Sequence, residues 1–182
     1  MKKIISLFAR NFETDRLVRD EVTSGAEWVI AGEGVATRKF DGTACLIRGG
    51  LMYKRYELRE GKAAPAQFEA AQERDPITGD TPGWVPVGQG PEDRWHREAF
   101  LPVMPDGTYE LCGPKIQGNP EGFAQHILVP HGRERLLDCP RDFVGIKEYL
   151  RTRTIEGVVW HRGNGEMVKI KKKDFFRKGG KE

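Results

Sequence analysis

Four short segments carry residues whose types and spacing could do chemistry. The first is Lys39-Phe40-Asp41-Gly42, set in the run Val35-Ala36-Thr37-Arg38-Lys39-Phe40-Asp41-Gly42-Thr43-Ala44. Asp-Gly is ordinarily a turn signal, yet strand-forming residues continue on both sides of it. A glycine inside a strand marks close approach of another backbone or of a ligand. The second places Glu110 in a strand, Tyr109-Glu110-Leu111-Cys112, ahead of a turn rich in Gly, Pro and Asn from Gly113 to Pro120. The third and fourth, Glu156-Gly157-Val158-Val159-Trp160 and Met167-Val168-Lys169-Ile170-Lys171, flank Gly163-Asn164-Gly165, a hairpin signal. Alternation puts Lys169 and Lys171 on one face and Val168 and Ile170 on the other. With Asn164-Gly165 as a two-residue turn, Trp160 pairs with Lys169 and Val158 with Lys171. Glu156 then falls diagonal to Lys171 on the lysine face. One carboxylate and two ammonium groups on that face read as a site, where two lysines alone would read as an exposed edge.

The elements that must position these residues are mostly strands. Val35 to Ile47 is a β-rich run interrupted at Asp41-Gly42, and Gly49-Gly50 turns the chain into Leu51–Leu58. Thr108–Cys112 and Ala124–Val129 are further strands, and Ile155–His161 and Glu166–Lys171 form the last hairpin. Helices are expected over Glu13 to Val22, where Leu17 and Val18 face a core, and over Ala63 to Glu73, rich in Ala, Gln and Glu. Arg141–Leu150 is the best amphipathic helix, with Phe143, Ile146, Tyr149 and Leu150 near helical spacing. Between Asp75-Pro76 and Asp106-Gly107 the chain is punctuated by prolines and glycines. It carries Trp84 and Trp95 there and reads as an ordered excursion rather than a linker. The sum is a mixed, largely antiparallel α+β domain.

The chain has 182 residues, 31% charged and 38% hydrophobic, a composition for one soluble domain spanning 1–182 and too apolar for a disordered chain. No run approaches a membrane span, and Met1-Lys2-Lys3 leads into too short an apolar stretch for a signal peptide. Three widely spaced cysteines, Cys45, Cys112 and Cys139, fit neither a disulfide framework nor a zinc site and point to the cytoplasm. The net charge of +3 is concentrated: Lys169 to Glu182 holds seven basic and two acidic residues, leaving the rest of the chain net acidic. Such a tail suits a polyanion partner, and it also suits plain solubility. Walker-type, Rossmann, His-Glu-x-x-His and nucleophile-elbow motifs are absent, and the four histidines show no ligand spacing.

Taken together and in this order, the four segments resemble the covalent nucleotidyltransferase superfamily of polynucleotide ligases and mRNA capping enzymes, from about Val35 to Phe175. Lys39-Phe40-Asp41-Gly42 is similar to its nucleophile motif, Arg55 to its ribose-contacting arginine and Glu110 to its motif III carboxylate. Glu156-Gly157-Val158 is similar to its motif IV metal carboxylate, and Lys169-Ile170-Lys171 to its paired-lysine motif. Asp75-Pro76, Pro82 to Pro86, Trp95-His96 and Gly113 to Pro120 resemble, more narrowly, the family of the eukaryotic 5′-to-3′ RNA ligase. The resemblance implies an adenylation domain, ATP-grasp-like, with mainly antiparallel sheets flanking a nucleotide cleft and no OB domain.

It implies also an ATP-dependent RNA ligase of the RNA-repair type. Lys39 takes AMP from ATP, passes it to an RNA 5′-phosphate, and that end is joined to a 3′-hydroxyl. Thr37, Arg38, Lys39, Asp41, Gly42, Arg55, Glu110, Glu156, Lys169 and Lys171 would surround the nucleotide, and Glu156 and Glu110 would serve Mg²⁺ or Mn²⁺. A free lysine has a pKa of about 10.4, so cationic neighbours such as Lys169 and Lys171 are wanted to expose the amine and to hold phosphate. After Phe175 only seven residues remain. The second domain usual in the superfamily is therefore expected to be replaced by Arg177, Lys178 and Lys181 or by a partner protein. A DNA nick ligase, a capping-type guanylyltransferase and a catalytically silent nucleic-acid-binding module are the alternatives.

Overall fold

A computed structural model describes residues 1–76 and 78–176, so Arg177, Lys178 and Lys181 of the basic tail lie outside the described residues. In chain order the strands are β1 (Ile5–Ser6), β2 (Phe8–Arg10), β3 (Val18–Val22), β4 (Val35–Lys39), β5 (Thr43–Arg48) and β6 (Leu51–Leu58). They continue with β7 (Glu69–Ala70), β8 (Thr81–Pro86), β9 (Gly107–Cys112), β10 (Ile127–Pro130), β11 (Gly157–His161) and β12 (Met167–Lys171). The helices are α1 (Glu27–Ile30), α2 (Arg94–Ala99), α3 (Phe143–Arg151) and α4 (Lys172–Phe175), with a 3₁₀ turn at Pro91–Asp93. The architecture is mixed α+β with mostly antiparallel sheets; β1 and β12 pair in parallel. Among the described residues no helix is long and apolar enough to cross a membrane.

The chain divides into two compact units. One comprises Met1–Lys3 and Asp41–His131 and is built on a six-stranded sheet ordered β10-β9-β5-β6-β8-β7. One face of that sheet turns Cys45, Ile47, Met52, Tyr109, Leu111 and Leu128 into a core completed by Ala99 and Ile116. Alternation sends Ala44, Arg55, Trp84 and Glu110 to the other face. The Pro- and Gly-punctuated excursion is ordered as expected, and Trp84 is fully buried.

The other unit comprises Ile4–Phe40 and the chain from Gly132 on, around a four-stranded sheet ordered β1-β12-β11-β4. Its core face presents Val158, Trp160, Val168 and Ile170 to Leu7, Phe8, Val29, Ile146 and Leu150. Helix α3 forms close to where its periodicity places it, because Asp142 caps it by accepting the Gly145 N–H at 2.8 Å. The interrupted run Val35 to Ile47 therefore serves two sheets, β4 in one unit and β5 in the other.

Three expectations are overturned. Glu13 to Val22 is no helix but the turn and second strand of a β2–β3 hairpin. Asn11 Oδ1 takes the N–H groups of Glu13 and Thr14, Asp15 takes that of Leu17, and Arg16 sits at φ 60°. Side chains that satisfy the backbone locally compete with a helix. Ala63 to Glu73 is not helical either: Gln67 adopts φ 60°, and Glu69 and Ala70 pair with Trp84 and Gly83. Pro65 interrupts the pattern, and the edge of the six-stranded sheet outweighs a modest helix propensity.

The third correction is the register of the last hairpin. Trp160 pairs with Val168 and Gly157 with Lys171, one residue off the expected register. The loop is three residues, Gly163-Asn164-Gly165, closed by the Gly165 N–H to Arg162 O bond, with Gly165 at φ 86°. That is the type I turn with a left-handed glycine that three-residue hairpins favour.

The new register puts Gly157 at a position where no side chain fits. An added Cβ would stand 2.1 Å from the Ile170 carbonyl oxygen and 2.8 Å from the Lys171 Cα, both backbone atoms. Gly157→Ala should therefore lower unfolding stability by about 2–4 kcal/mol in denaturant melts. A change within about 0.5 kcal/mol of zero, the scatter of an ordinary surface substitution, would contradict the register.

Candidate functional site

Two rows of side chains cross the four-stranded sheet on the face opposite its core. Lys39 pairs with Gly157 and Gly157 with Lys171; Thr37 pairs with Val159, Val159 with Lys169, and Lys169 with Ser6. Gly157, lacking a side chain, leaves clear the space between Lys39 and Lys171. Both ammonium groups meet on one carboxylate: Lys39 Nζ bonds Glu156 Oε2, and Lys171 Nζ lies 2.7 Å from Oε1. The Glu156 side chain is only 8% exposed. Continued alternation in the observed register would turn Glu156 to the core. β11 begins only at Gly157, with the Glu156 carbonyl accepting the Lys172 N–H at 2.7 Å, and the Glu156 carboxylate nevertheless reaches the lysines.

Burial would push the Glu156 carboxyl up, but Lys39 and Lys171 outweigh it and hold the group below the usual carboxylate range. Lys169 has the opposite balance. Burial first, then the charges of Lys171 and Lys39, bring it down to about 8. Among the described residues the Lys169 ammonium makes no hydrogen bond or ion pair, and its strand neighbour Ser6 has a buried hydroxyl without a partner. Buried polar groups in folded proteins are nearly always satisfied. A cation and a hydroxyl left open side by side are equipped to receive an anion.

Asp174, to which no sequence motif pointed, and Thr37 help shape this face. Asp174, 2% exposed, accepts the Lys171 N–H at 2.9 Å and pairs with Arg10, which anchors the end of β12. Its signal was faint: an acid three residues beyond a lysine at a strand end. Thr37, 3% exposed, donates to Val159 O at 3.1 Å and shares a 3.0 Å hydrogen bond with His161 Nε2. Arg38 belongs to the opposite face, its guanidinium 3.4 Å from Glu134 and 4.6 Å over the Phe40 ring. The fold does not bring its side chain together with that of Lys39.

Asp41, Gly42, Arg55 and Glu110 belong to the other unit. Gly42 is the close approach its mid-strand position announced: a Cβ there would lie 2.2 Å from Leu111 O and 2.9 Å from Glu110 Cγ. Glu110, 8% exposed, accepts the Gly42 N–H at 3.1 Å and pairs with His131 Nε2 at 2.9 Å. The Asp41 N–H goes to Glu121 at 2.8 Å. His131 and Glu121 were not legible in the sequence, because both act only through a partner distant along the chain. Arg55 donates to the Met1 carbonyl at 2.8 Å, lies 3.1 Å from Glu57 and stands 5.2 Å over the Trp84 ring.

Among the described residues no group of three or more His, Cys, Asp or Glu could hold a metal ion. Glu156 alone fits one of the hard, water-retaining kind, since Mg²⁺ often takes one protein carboxylate, several waters and phosphate oxygens. It can do so only by yielding an oxygen now held by a lysine.

An unpaired, half-buried ammonium costs stability, and the sign with pH is definite. The lowered pKa of Lys169 means that between about 8 and its ordinary value of 10.5 the unfolded chain binds more protons than the folded one. Stability from this group therefore rises with pH across that window, and the full cost is present below it. Lys169→Met should stabilise the protein at pH 7 by roughly 1–3 kcal/mol and erase that part of the rise, while anion binding is lost. Parallel stability–pH curves for the two proteins would show Lys169 to be solvated.

Comparison with known proteins finds similarity to RNA ligases. A family model described as RNA ligase 1 matches residues 98–178, a range that takes in Glu110, Glu156, Lys169 and Lys171 but neither Lys39 nor Arg55. RNA ligase 1 of Mus musculus is 28% identical over 153 residues, covering 64% of this chain and 44% of the relative. The Rattus norvegicus protein of that name gives the same figures, and the Danio rerio one is 28% identical over 128 residues, 50% of this chain and 39% of its own. The chain spans less than half the length of these curated relatives. By the family match and by these relatives, the chain is similar to RNA ligase 1 proteins, over a range that includes Glu156, Lys169 and Lys171.

Proposed function

We propose that the chain is the adenylylating part of an ATP-dependent RNA ligase with a nucleotidyltransferase fold. The Lys39 amine attacks the α-phosphate of ATP, a P–N bond forms as the bond to pyrophosphate breaks, and the amine proton leaves. AMP then passes to an RNA 5′-phosphate, and a 3′-hydroxyl displaces it to form the phosphodiester. One observation carries the reading: Lys39 and Lys171 share the buried Glu156 carboxylate beside Lys169, a cation with no counter-ion among the described residues.

In this reading each residue has a distinct task. Glu156 holds the Lys39 side chain at a fixed point, so little orientational entropy is lost when the amine meets its target. Lys169, with no counter-ion to release, draws the phosphate to that face and offsets the negative charge that builds as pyrophosphate departs. Lys171 divides its charge between Glu156 and the same phosphate. Mg²⁺ held through Glu156 would supply further neutralisation of the phosphate oxygens. Arg55 and Glu110 keep, as proposals, the nucleotide contacts that the resemblance implies, and RNA with a 5′-phosphate and a 3′-hydroxyl is the substrate.

Intact mass after incubation with ATP and Mg²⁺ tests the first step directly: the protein should gain one AMP. Lys39→Ala and Lys39→Arg should gain none, the second because a guanidinium stays protonated. Glu156→Gln should slow loading by about 100-fold or more while the melting temperature holds. AMP on the Lys39→Ala protein would overturn the assignment.

A further inference from the structure

The segment after β10 adds a short edge to the lysine-bearing sheet. Arg135 forms an antiparallel bridge with Thr37, bracketed by the Arg38 N–H to Glu134 O bond at 2.8 Å and the Leu136 N–H to Ala36 O bond at 2.9 Å. Bridge partners share a face, so Arg135 lies on the face of Thr37, Lys39, Lys169 and Lys171. Arg133, two residues earlier, lies just ahead of the bridge, across a bend at Glu134. Glu134 and Leu136 fall on the opposite side, where Glu134 meets Arg38 and Leu136 packs on the core. The bridge therefore turns Arg135 to the lysine face and Glu134 and Leu136 away from it, with the exposed Arg133 beside them in the chain.

Both arginines are exposed, and neither makes a hydrogen bond or ion pair among the described residues. Several exposed arginines elsewhere are engaged, Arg48 with Glu69, Arg74 with Glu60, Arg151 with Glu148 and Arg153 with Asp138. Arg16 and Arg59 are open as well, but only Arg135 is bridged to the lysine-bearing sheet. Three strand spacings, about 14 Å, separate the backbone of Arg135 from that of Lys169 in the same row. A ligand that touches both ends must run across the sheet and carry negative charge along its length. Guanidinium groups grip phosphate through paired N–H donors, and their open edge position suits a long polyanion that arrives and leaves.

We propose that Arg133 and Arg135 bind backbone phosphates of the RNA strand whose end is brought to Lys39. The RNA identity rests on the ligase reading above; the cation row does not. Anisotropy of a labelled, 5′-phosphorylated single-stranded RNA, titrated at several salt concentrations, tests it on the full chain. Arg133→Gln/Arg135→Gln should weaken binding about tenfold and reduce the salt slope by about 1 to 2, while AMP loading by intact mass is unchanged. Arg59→Gln/Lys62→Gln, which removes two exposed charges from the other unit, should leave the slope within error of the parent.

An unchanged slope in the arginine variant would overturn the proposal. So would an equal loss in the control, which would mean bulk charge alone. A fall in AMP loading as large as the fall in RNA binding would overturn it too, by giving the arginines to the triphosphate. If the parent protein takes no AMP and the arginine variant still loses RNA affinity, the ligase reading fails and the RNA-binding edge stands.

Discussion

The buried carboxylate of Glu156 is the interaction on which the lysine face depends. Two ammonium groups drawn out of water onto one sheet face would repel each other and lose hydration, a cost of several kcal/mol per ion when unbalanced. Glu156 gives each of them one oxygen and is almost fully sheltered while doing so. Gly157 lets β11 approach β12 so closely that no Cβ fits, and Glu156 immediately precedes it.

Three ammonium groups and one carboxylate leave this face two positive charges in excess, and one of its cations stands alone. Lys169 has no counter-ion among the described residues, and its pKa falls because burial and its two lysine neighbours oppose the charged form. A core optimised for stability alone would not keep such a group. The sheet tolerates it because the opposite face is densely apolar, with Trp160, Val158, Ile170 and Leu150 essentially inaccessible to solvent. Strain at functional positions offset by packing elsewhere is the usual relation between stability and activity.

Legibility followed the range of the forces involved. The strands around Lys39, Glu110 and Lys169, and helix α3, were readable because alternation and periodicity are local properties of the chain. Gly42 was readable as a close approach, although the atoms it approaches, Leu111 O and Glu110 Cγ, were not. The two expected helices failed for different reasons: Asn11 and Asp15 satisfy a turn's amides, and Glu69-Ala70 is claimed by a sheet edge assembled from elsewhere in the chain. Local propensity is a weak prior against either.

Residue order alone determined which side chains could take part: Lys39 beside Asp41-Gly42, Glu156 ahead of Gly157, and two lysines spaced to share one strand face. It determined also that the last two strands form a hairpin. Tertiary structure decided the register, the pairing of both lysines with one carboxylate, the turning of Arg38 away from Lys39, and the roles of His131, Glu121 and Asp174. Each of these depends on contacts between residues far apart in sequence. A single extra loop residue, Gly163, moved every pairing by one position, and period-two geometry converts one position into the opposite face.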